Sequence, residues 1–340
     1  KLVDRIPDTG LKELWQSDPI PSNDEGGLAS PVVADGRVFI GLVWHMDVPS
    51  ETRQIGELVL RQLGFQPVNG LGEKIVADME RTRMETPAGL RGKKLGEFID
   101  AWIAERLDEK QRQLYAGYIS NRFKKGKLAL PLDVLEALDK QKDRVFATET
   151  EMKTWLNEQQ WPSEVVQQII AAVPPTRREA EDAIVALDAE TGKLLWKTVR
   201  PGEPSGRNAS ATPCAADGKV YSVGSSRIWC IDAVSGEVRW ETPLPQKRGI
   251  GSSPLVADGI MVVNTGRQLH AFDAVTGKQV WEQKKAGGAN ASPVLWRSGD
   301  RAFVVCNGGD LTAVNLKTGE IAWIAQAGGD STPAIDGNIL

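Results

Sequence analysis

The chain has 340 residues, 41% of them hydrophobic and 25% charged, with a formal net charge of -4 and a pI near 5.5. That balance offers no basic field for a nucleic-acid backbone, and no run of about eighteen apolar residues is present to cross a bilayer as a helix. The length is sufficient for two domains, and eleven Trp outnumber the seven Phe and three Tyr, five of them at equivalent places in a repeat.

Lys1 opens the chain without a charged segment followed by an apolar one, so a secretory signal is expected to be absent or already removed. Leu11 to Gln16 carries Trp15 without a preceding tight turn and reads as an isolated last strand of the repeat described below, completing a sheet begun elsewhere. Ala29 to Leu42 then alternates around Asp35-Gly36, the pattern of a β-hairpin. Copies of this hairpin begin at Ala211-Thr-Pro, Ser252-Ser-Pro, Ala291-Ser-Pro and Ser331-Thr-Pro, whose prolines lie 41, 39 and 40 residues apart.

A second hairpin pattern follows each of the first four. It runs from Ala186 to Trp196, Cys230 to Trp240, Ala271 to Trp281 and Ala313 to Trp323, with the tryptophans 44, 41 and 42 residues apart. Asp188, Asp232 and Asp273 (Asn315 in the fourth copy) are placed to accept N-H bonds within a turn, and Gly192, Gly236, Gly277 and Gly319 supply positive φ at little cost. Each unit is therefore about forty residues forming four short strands, A and B around Asp-Gly, C and D around Asp-x-x-Thr/Ser-Gly. That period and strand number predict an all-β fold, a β-propeller of four-stranded blades.

The first unit breaks the period. Pro31 lies 165 residues before Trp196, whereas the next three units place 27, 27 and 30 residues between the same landmarks. An insertion is expected at 45–180, between strands B and C of the first blade, leaving a discontinuous propeller at 1–44 and 181–340. Its apolar residues recur at helical spacing: Ile55, Leu58, Val59 and Leu63; Leu95, Phe98, Ile99, Trp102 and Ile103; Leu114, Tyr115, Tyr118 and Ile119. Thr148 and Glu151 form a capping-box pattern, and Pro174-Pro175 ends the helical run. Its charge is balanced, 21 Lys and Arg against 20 Asp and Glu between residues 50 and 180. At the far end, Ser331 to Leu340 supplies strand A and the start of strand B of a fifth unit, so the ring is not expected to close with these residues alone.

At these residues the chain resembles the PQQ-repeat, quinoprotein-type β-propeller family. Ala186-x-Asp188-x-x-Thr191-Gly192-Lys193-x-x-Trp196 and the copy ending at Trp281 carry every signature position of that family's tryptophan-docking motif. The copies ending at Trp240 and Trp323 carry substitutions: Cys230 and Ser235 in one, Asn315 in the other. The resemblance covers about 200 residues. It implies indoles docked on the neighbouring blade, seven or eight blades in a full ring, roughly 100 to 150 further residues, and a periplasmic or secreted location. It also implies one of two functions, a binding or scaffolding module like the outer-membrane assembly lipoprotein, or a PQQ- and calcium-dependent alcohol or sugar dehydrogenase. No Cys-Cys pair and no Cys-x-x-Cys-His motif for haem occurs in the sequence.

Strand alternation sets the D-to-A and B-to-C connections on one axial face, where a ligand would sit. The candidate cofactor-binding residues there are Arg207, Asn208, Arg248, Asn290 and Asp330 from D-to-A loops, and Arg227, Arg267 and Asp310 from B-to-C loops, beside Ser226, Thr265 and Asn307. Converging Arg, Asn and Asp suit an anionic quinone, a metal or a peptide; the same residues equally suit solvated loops. Asp310 and Asp330 are the candidate general bases of the dehydrogenase reading. A protein partner would be held through this face or through the helical insertion, which leaves from a B-to-C loop and so stands either as a lid or as a peripheral elaboration. Cys214 and Cys230 lie on strands A and C, two strand spacings or about 9.5 Å apart, beyond disulfide reach. Cys306 and His270 read as packed core residues, and two histidines without a nearby nucleophile do not make a hydrolase.

Overall fold

The structure is a computed structural model that describes residues 12–20, 29–87, 89–204, 211–245, 252–266, 268–288, 291–327, 329 and 331–337. It divides into two compact units, one of residues 1–47 with 178–340 and one of residues 48–177.

The strand-rich unit begins with β1 (Val32–Ala34) and β2 (Arg37–Pro49), joined through Asp35 and Gly36 at φ +48° and +71°. Two successive positive φ values match the twist of a two-residue hairpin, and Asp and Gly are residues that tolerate them. The chain then crosses the helical unit, which holds β3 (Arg53–Gln54), α1 (Glu57–Leu63), α2 (Glu73–Glu85), α3 (Gly92–Arg106), α4 (Glu109–Lys125), α5 (Leu132–Asp139), β4 (Val145–Phe146), α6 (Glu149–Glu158) and α7 (Ser163–Ala172). It returns as β5 (Thr176–Asp188) and β6 (Leu194–Gly202), and the first sheet has the order β1-β2-β5-β6.

Three more antiparallel sheets repeat that meander. They are β7 (Cys214–Ala216), β8 (Lys219–Val223), β9 (Arg227–Asp232) and β10 (Val238–Pro243); β11 (Leu255–Ala257), β12 (Ile260–Asn264), β13 (Leu269–Asp273) and β14 (Gln279–Gln283); and β15 (Val294–Ser298), β16 (Arg301–Asn307), β17 (Asp310–Asn315) and β18 (Ile321–Gln326). These are four blades of a β-propeller, accompanied by the helices of the second unit.

The core of this unit lies between sheets. Phe39, Ile184 and Ala186 of the first sheet meet Val220, Trp229 and Ile231 of the second. Tyr221, Ile228 and Cys230 of the second meet Met261, Val263 and Phe272 of the third. Val262, Leu269 and Trp281 of the third meet Val304, Cys306 and Val314 of the fourth. Each blade therefore buries its inward-facing residues only against its neighbours, the packing expected of a repeat array.

The third and fourth strands of each sheet carry the contact that locks the blades. In all four sheets a register shift lies beside the pair formed by the tryptophan and a small residue: Ala186 opposite Trp196, Cys230 opposite Trp240, Ala271 opposite Trp281 and Ala313 opposite Trp323. The small residue leaves room for the ring. Trp196 donates its indole N-H to the Ala233 carbonyl at 3.2 Å, Trp240 to Ala274 at 3.0 Å and Trp281 to Leu316 at 2.9 Å, each in the next sheet. Trp15 does the same to Ala189 at 3.0 Å, although residues 12–20 form no β-pairing. The sequence pattern suggests a strand there; the indole contact and the packing of Trp15 and Ile20 on Val38, Leu42, Ala183 and Val185 anchor the segment to the first sheet instead.

The turns that receive these rings are tightly bonded. Asp188 Oδ1 accepts from the N-H groups of Glu190 and Thr191 at 3.1 and 2.8 Å and from the Thr191 hydroxyl at 2.8 Å, and Asp273 repeats the arrangement with Val275 and Thr276. These bonds hold the two carboxyls below the ordinary carboxylate range.

In the helical unit, Ile55, Leu60, Ile99, Trp102, Ile119, Phe123, Leu135 and Ile169 belong to one core. Leu58 and Leu114, which fit the helical period, are 39% and 58% exposed. Asp108 and Gln111 make a capping box at the start of α4. Thr148 caps α6 by accepting from Glu151 N-H at 3.2 Å, while the Glu151 carboxylate accepts from Ala147 N-H instead of closing the box on Thr148. Glu80 of α2 binds Arg83 and Arg122, two guanidinium groups whose side chains are each 3% exposed. No helix among the described residues is long and apolar enough to cross a membrane.

Candidate functional site

The Asp-Gly turns (Gly299-Asp300 in the fourth sheet) and the Asp/Asn-x-x-Thr/Ser-Gly turns occupy one end of each sheet. The opposite end carries the remaining connections, and its geometry is dominated by bonds from one blade to the next.

A row of hydroxyls runs along the entries to the first strands. Ser30 N-H donates to Thr212 Oγ1 at 3.0 Å, Thr212 N-H to Ser253 Oγ at 3.0 Å, Ser253 N-H to Ser292 Oγ at 3.0 Å, and Ser292 N-H to Thr332 Oγ1 at 2.9 Å. Each residue precedes a proline, which holds it in extended backbone. The signal was present in the sequence as a recurring Ser/Thr-Pro, although nothing in the spacing alone told a hydroxyl bridge from a turn.

Between the first two sheets the bridge is ionic. Asp182, fully buried in the middle of β5, accepts from Ser225 N-H at 2.6 Å through Oδ1. Its Oδ2 lies 3.5 Å from Arg227 Nε, outside hydrogen-bond geometry. Arg227 also donates to Glu241 at 3.1 Å and to the Pro201 carbonyl at 2.5 Å. Gly224 makes the space: a Cβ there would overlap the Asp182 carboxyl. Burial pushes Asp182 above the ordinary carboxylate range, opposed by the Ser225 N-H and the Arg227 charge. His45, also buried, is pushed down by burial, with Asp182 and Asp47 pulling it up. Sequence reasoning missed Asp182; its only mark was an acidic residue heading an apolar run, Ala183-Ile-Val-Ala.

Asparagines replace the ion pair in the later sheets. Asn264 donates to the Gly288 and Ala291 carbonyls at 2.7 and 2.8 Å and accepts from Gly266 N-H at 3.0 Å. Asn307 accepts from Gly309 N-H at 3.2 Å and donates to the Ser331 carbonyl at 3.2 Å.

Of the eight candidate ligand residues, the structure describes two. Arg227 opens β9, bound as above, and Asp310 opens β17 with an exposed side chain. They are not joined by any bond. Arg207, Asn208, Arg248, Arg267, Asn290 and Asp330 lie outside the described residues. No three His, Cys, Asp or Glu side chains among the described residues cluster in a way that could hold a metal ion. The three cysteines are free; burial pushes the thiols of Cys230 and Cys306 up to about 11, a range in which they stay protonated and unreactive at neutral pH. His270 is buried with neither ring nitrogen hydrogen-bonded among the described residues, so its packing is apolar rather than polar.

The four-stranded antiparallel sheets and their repeated turns are those of a β-propeller. Residues 180–336 match the family model described as outer membrane protein assembly factor BamB. No curated protein matches the chain. Among solved structures, BamB from Moraxella catarrhalis is 21% identical with a TM-score of 0.34, over 45% of this chain and 48% of that one. Quinohemoprotein alcohol dehydrogenase from Comamonas testosteroni is 16% identical with a TM-score of 0.35, over 44% and 33%. The corresponding enzyme ADHIIG from Pseudomonas putida HK5 is 19% identical with a TM-score of 0.33, over 45% and 33%. The match spans less than half the length of each of these proteins.

Proposed function

We propose that the chain is a binding and scaffolding module of an extracytoplasmic compartment, periplasmic or secreted, that holds a protein partner through the loop-bearing ends of its blades and through its helical unit. The observation that carries this reading is the match of residues 180–336 to an outer-membrane assembly factor. The site geometry supports it: the bond from Ser225 N-H to buried Asp182 and the bond from Arg227 to the Pro201 carbonyl join two sheets at the loop end and stiffen that surface.

Two measurements test the reading on the full-length protein. PQQ with calcium is titrated calorimetrically and dye-linked oxidation is assayed over a panel of alcohols and sugars; neither uptake nor turnover is expected. In parallel, the substitution Asp310→p-benzoylphenylalanine places a photocrosslinker at the loop end, and Glu190→p-benzoylphenylalanine places one in a turn at the other end. Discrete protein adducts in cells from the first position and not the second are expected. Stoichiometric PQQ uptake with turnover would instead establish the alternative, a quinoprotein alcohol or sugar dehydrogenase, and indistinguishable adducts from both ends would remove the partner surface.

A further inference from the structure

We propose that the helical unit carries a contact site for an anionic lipid surface at the C-terminal end of α4, where Leu128 stands as an apolar tip among Lys124, Lys125, Lys127 and Arg61. The site is independent of the protein-partner reading, because it uses neither a blade nor a protein ligand.

The argument begins with how Leu128 is held. Gly126 ends α4 at φ +53° and opens a single turn of 3-10 helix, Gly126–Leu128. That turn is pinned from beneath: Arg83 donates to the Gly126 and Ala129 carbonyls at 2.5 and 3.4 Å, and Arg122 to the Leu130 carbonyl at 2.8 Å. Both guanidinium groups are themselves buried and bound to Glu80. Ala129 and Leu130 are buried beside them, whereas Leu128 is 74% exposed. A loose loop would be free to fold a leucine away, but a turn bonded at three carbonyls keeps it in water. Single exposed leucines are ordinary, so its surroundings decide.

Those surroundings are cationic. Lys124, Lys125 and Lys127 are exposed, and none of them forms an ion pair among the described residues. The open cavity of about 510 Å³ that borders Ala129 is lined by Arg61, Arg122, Lys124 and Lys125 and by no Asp or Glu. The 21 Lys and Arg between residues 50 and 180 are otherwise matched by 20 Asp and Glu, so the excess is local. Helix dipoles explain only part of it: the C-terminal ends of α1 and α4 each carry roughly half a negative charge, against three unpaired lysines and Arg61, which meets Glu57 at 3.9 Å.

The chemistry selects the partner. Lys is a point charge on a flexible stem and lacks the bidentate fork of Arg, so a lysine cluster suits a field of phosphates better than one fixed carboxylate. A leucine projecting among lysines enters the acyl boundary while the ammonium groups stay with the headgroups. The chain as a whole carries a net charge of -4 and is repelled by an anionic surface, so attraction has to be local. Each cation near such a surface contributes about fivefold in affinity. An acidic protein segment would answer the charge and leave the protruding leucine unburied.

The test is vesicle flotation of the full-length protein at low and high salt. Vesicles of phosphatidylcholine mixed with phosphatidylglycerol should carry the protein, vesicles of phosphatidylcholine alone should not, and salt should release it. Lys124→Gln with Lys127→Gln should weaken binding about twentyfold and Leu128→Ser about tenfold, both at an unchanged melting temperature because these side chains are exposed. Lys74→Gln with Lys110→Gln removes the same charge from the first turns of α2 and α4, at the other end of both helices, and should leave binding unchanged. The proposal is overturned if anionic vesicles do not carry the protein, if neutral vesicles carry it equally, if the distant lysine pair matters as much as the near one, or if Leu128→Ser binds as the parent does. Calorimetric binding of an oligoglutamate peptide without vesicle binding would assign the patch to an acidic protein segment and overturn it as well.

Discussion

Trp240 covers Gly277 so closely that a Cβ added to the glycine would lie 2.5 Å from the indole, while the indole N-H reaches the Ala274 carbonyl at 3.0 Å. Gly277 has φ +70° and serves two purposes, a left-handed turn and a seat for the ring. Gly259, at φ +75° in the preceding turn, serves only the first, since nothing lies within 4 Å of its missing Cβ. Gly259→Ala should therefore cost about 1 kcal/mol and Gly277→Ala about 3 kcal/mol, the added part being overpacking against the ring. Urea unfolding of the two variants measures the difference, and equal losses would show that the ring yields freely.

Gly224 and Asp182 form a second pair of this kind. With the carboxylate enclosed and no room beside it for a Cβ on the glycine, Gly224→Ala should destabilise by about 2 kcal/mol. The Asp182→Ala background removes the obstructing group, so the same change there should cost much less. A double-mutant cycle reads the coupling directly; additive losses would place the strain elsewhere.

Buried His270 gives the protein a pH response near neutrality. Burial lowers its pKa, with Glu282 opposing, so the folded state prefers the neutral ring. That stability is present above the unfolded value of about 6.5 and is lost as the pH falls through it toward the lower folded value. His45 is shifted in the same direction. Asp182, shifted upward, works the other way, its contribution present at low pH and lost as the pH rises through its folded value. Thermal unfolding at about pH 7.5 and about pH 5.5 should show His270→Val losing less stability on acidification than the parent, by on the order of 1 kcal/mol. Parallel curves for the two proteins would show that His270 does not titrate in this window.

Glu80 holds two buried guanidinium groups in the helical unit. Burial raises its pKa, but the bonds from Arg122 and Arg83 overcome this and leave it below the ordinary range. Glu80→Gln strands two charges and should destabilise the helical unit by about 3 kcal/mol, read as an earlier loss of helical circular dichroism in urea. The parent should lose part of the same stabilisation only as the pH falls below about 4.5. Unfolding of the variant at the parent's denaturant midpoint would contradict this account.

The repeat was legible because it is built from local chemistry. Asp-Gly and Asp-x-x-Thr/Ser-Gly specify their turns within a few residues, and alternation specifies the strands between them, so three sheets follow from pattern alone and the fourth, with Gly299-Asp300 and Asn315, follows from its spacing. Trp15 shows the limit: an indole in the expected place anchors a segment that forms no strand, because pairing needs a neighbouring strand that one segment cannot supply. The loop-end bonds were harder to see. Asp182 meets Ser225 across 43 residues and a sheet boundary, and a lone Asp beside an apolar run says nothing about the N-H that will face it. Leu58 and Leu114 fit the helical period and remain exposed, since periodicity marks a face without saying how wide the neighbouring surface is.

The indole bonds and the hydroxyl row share a sense of direction: in both, the earlier repeat donates and the later one accepts. Each junction thus has a head and a tail, like subunits in a polar filament. Inserting or deleting a whole repeat of this type would leave every junction with the same two chemical partners, whereas loss of half a repeat would leave an indole or a backbone N-H without its acceptor.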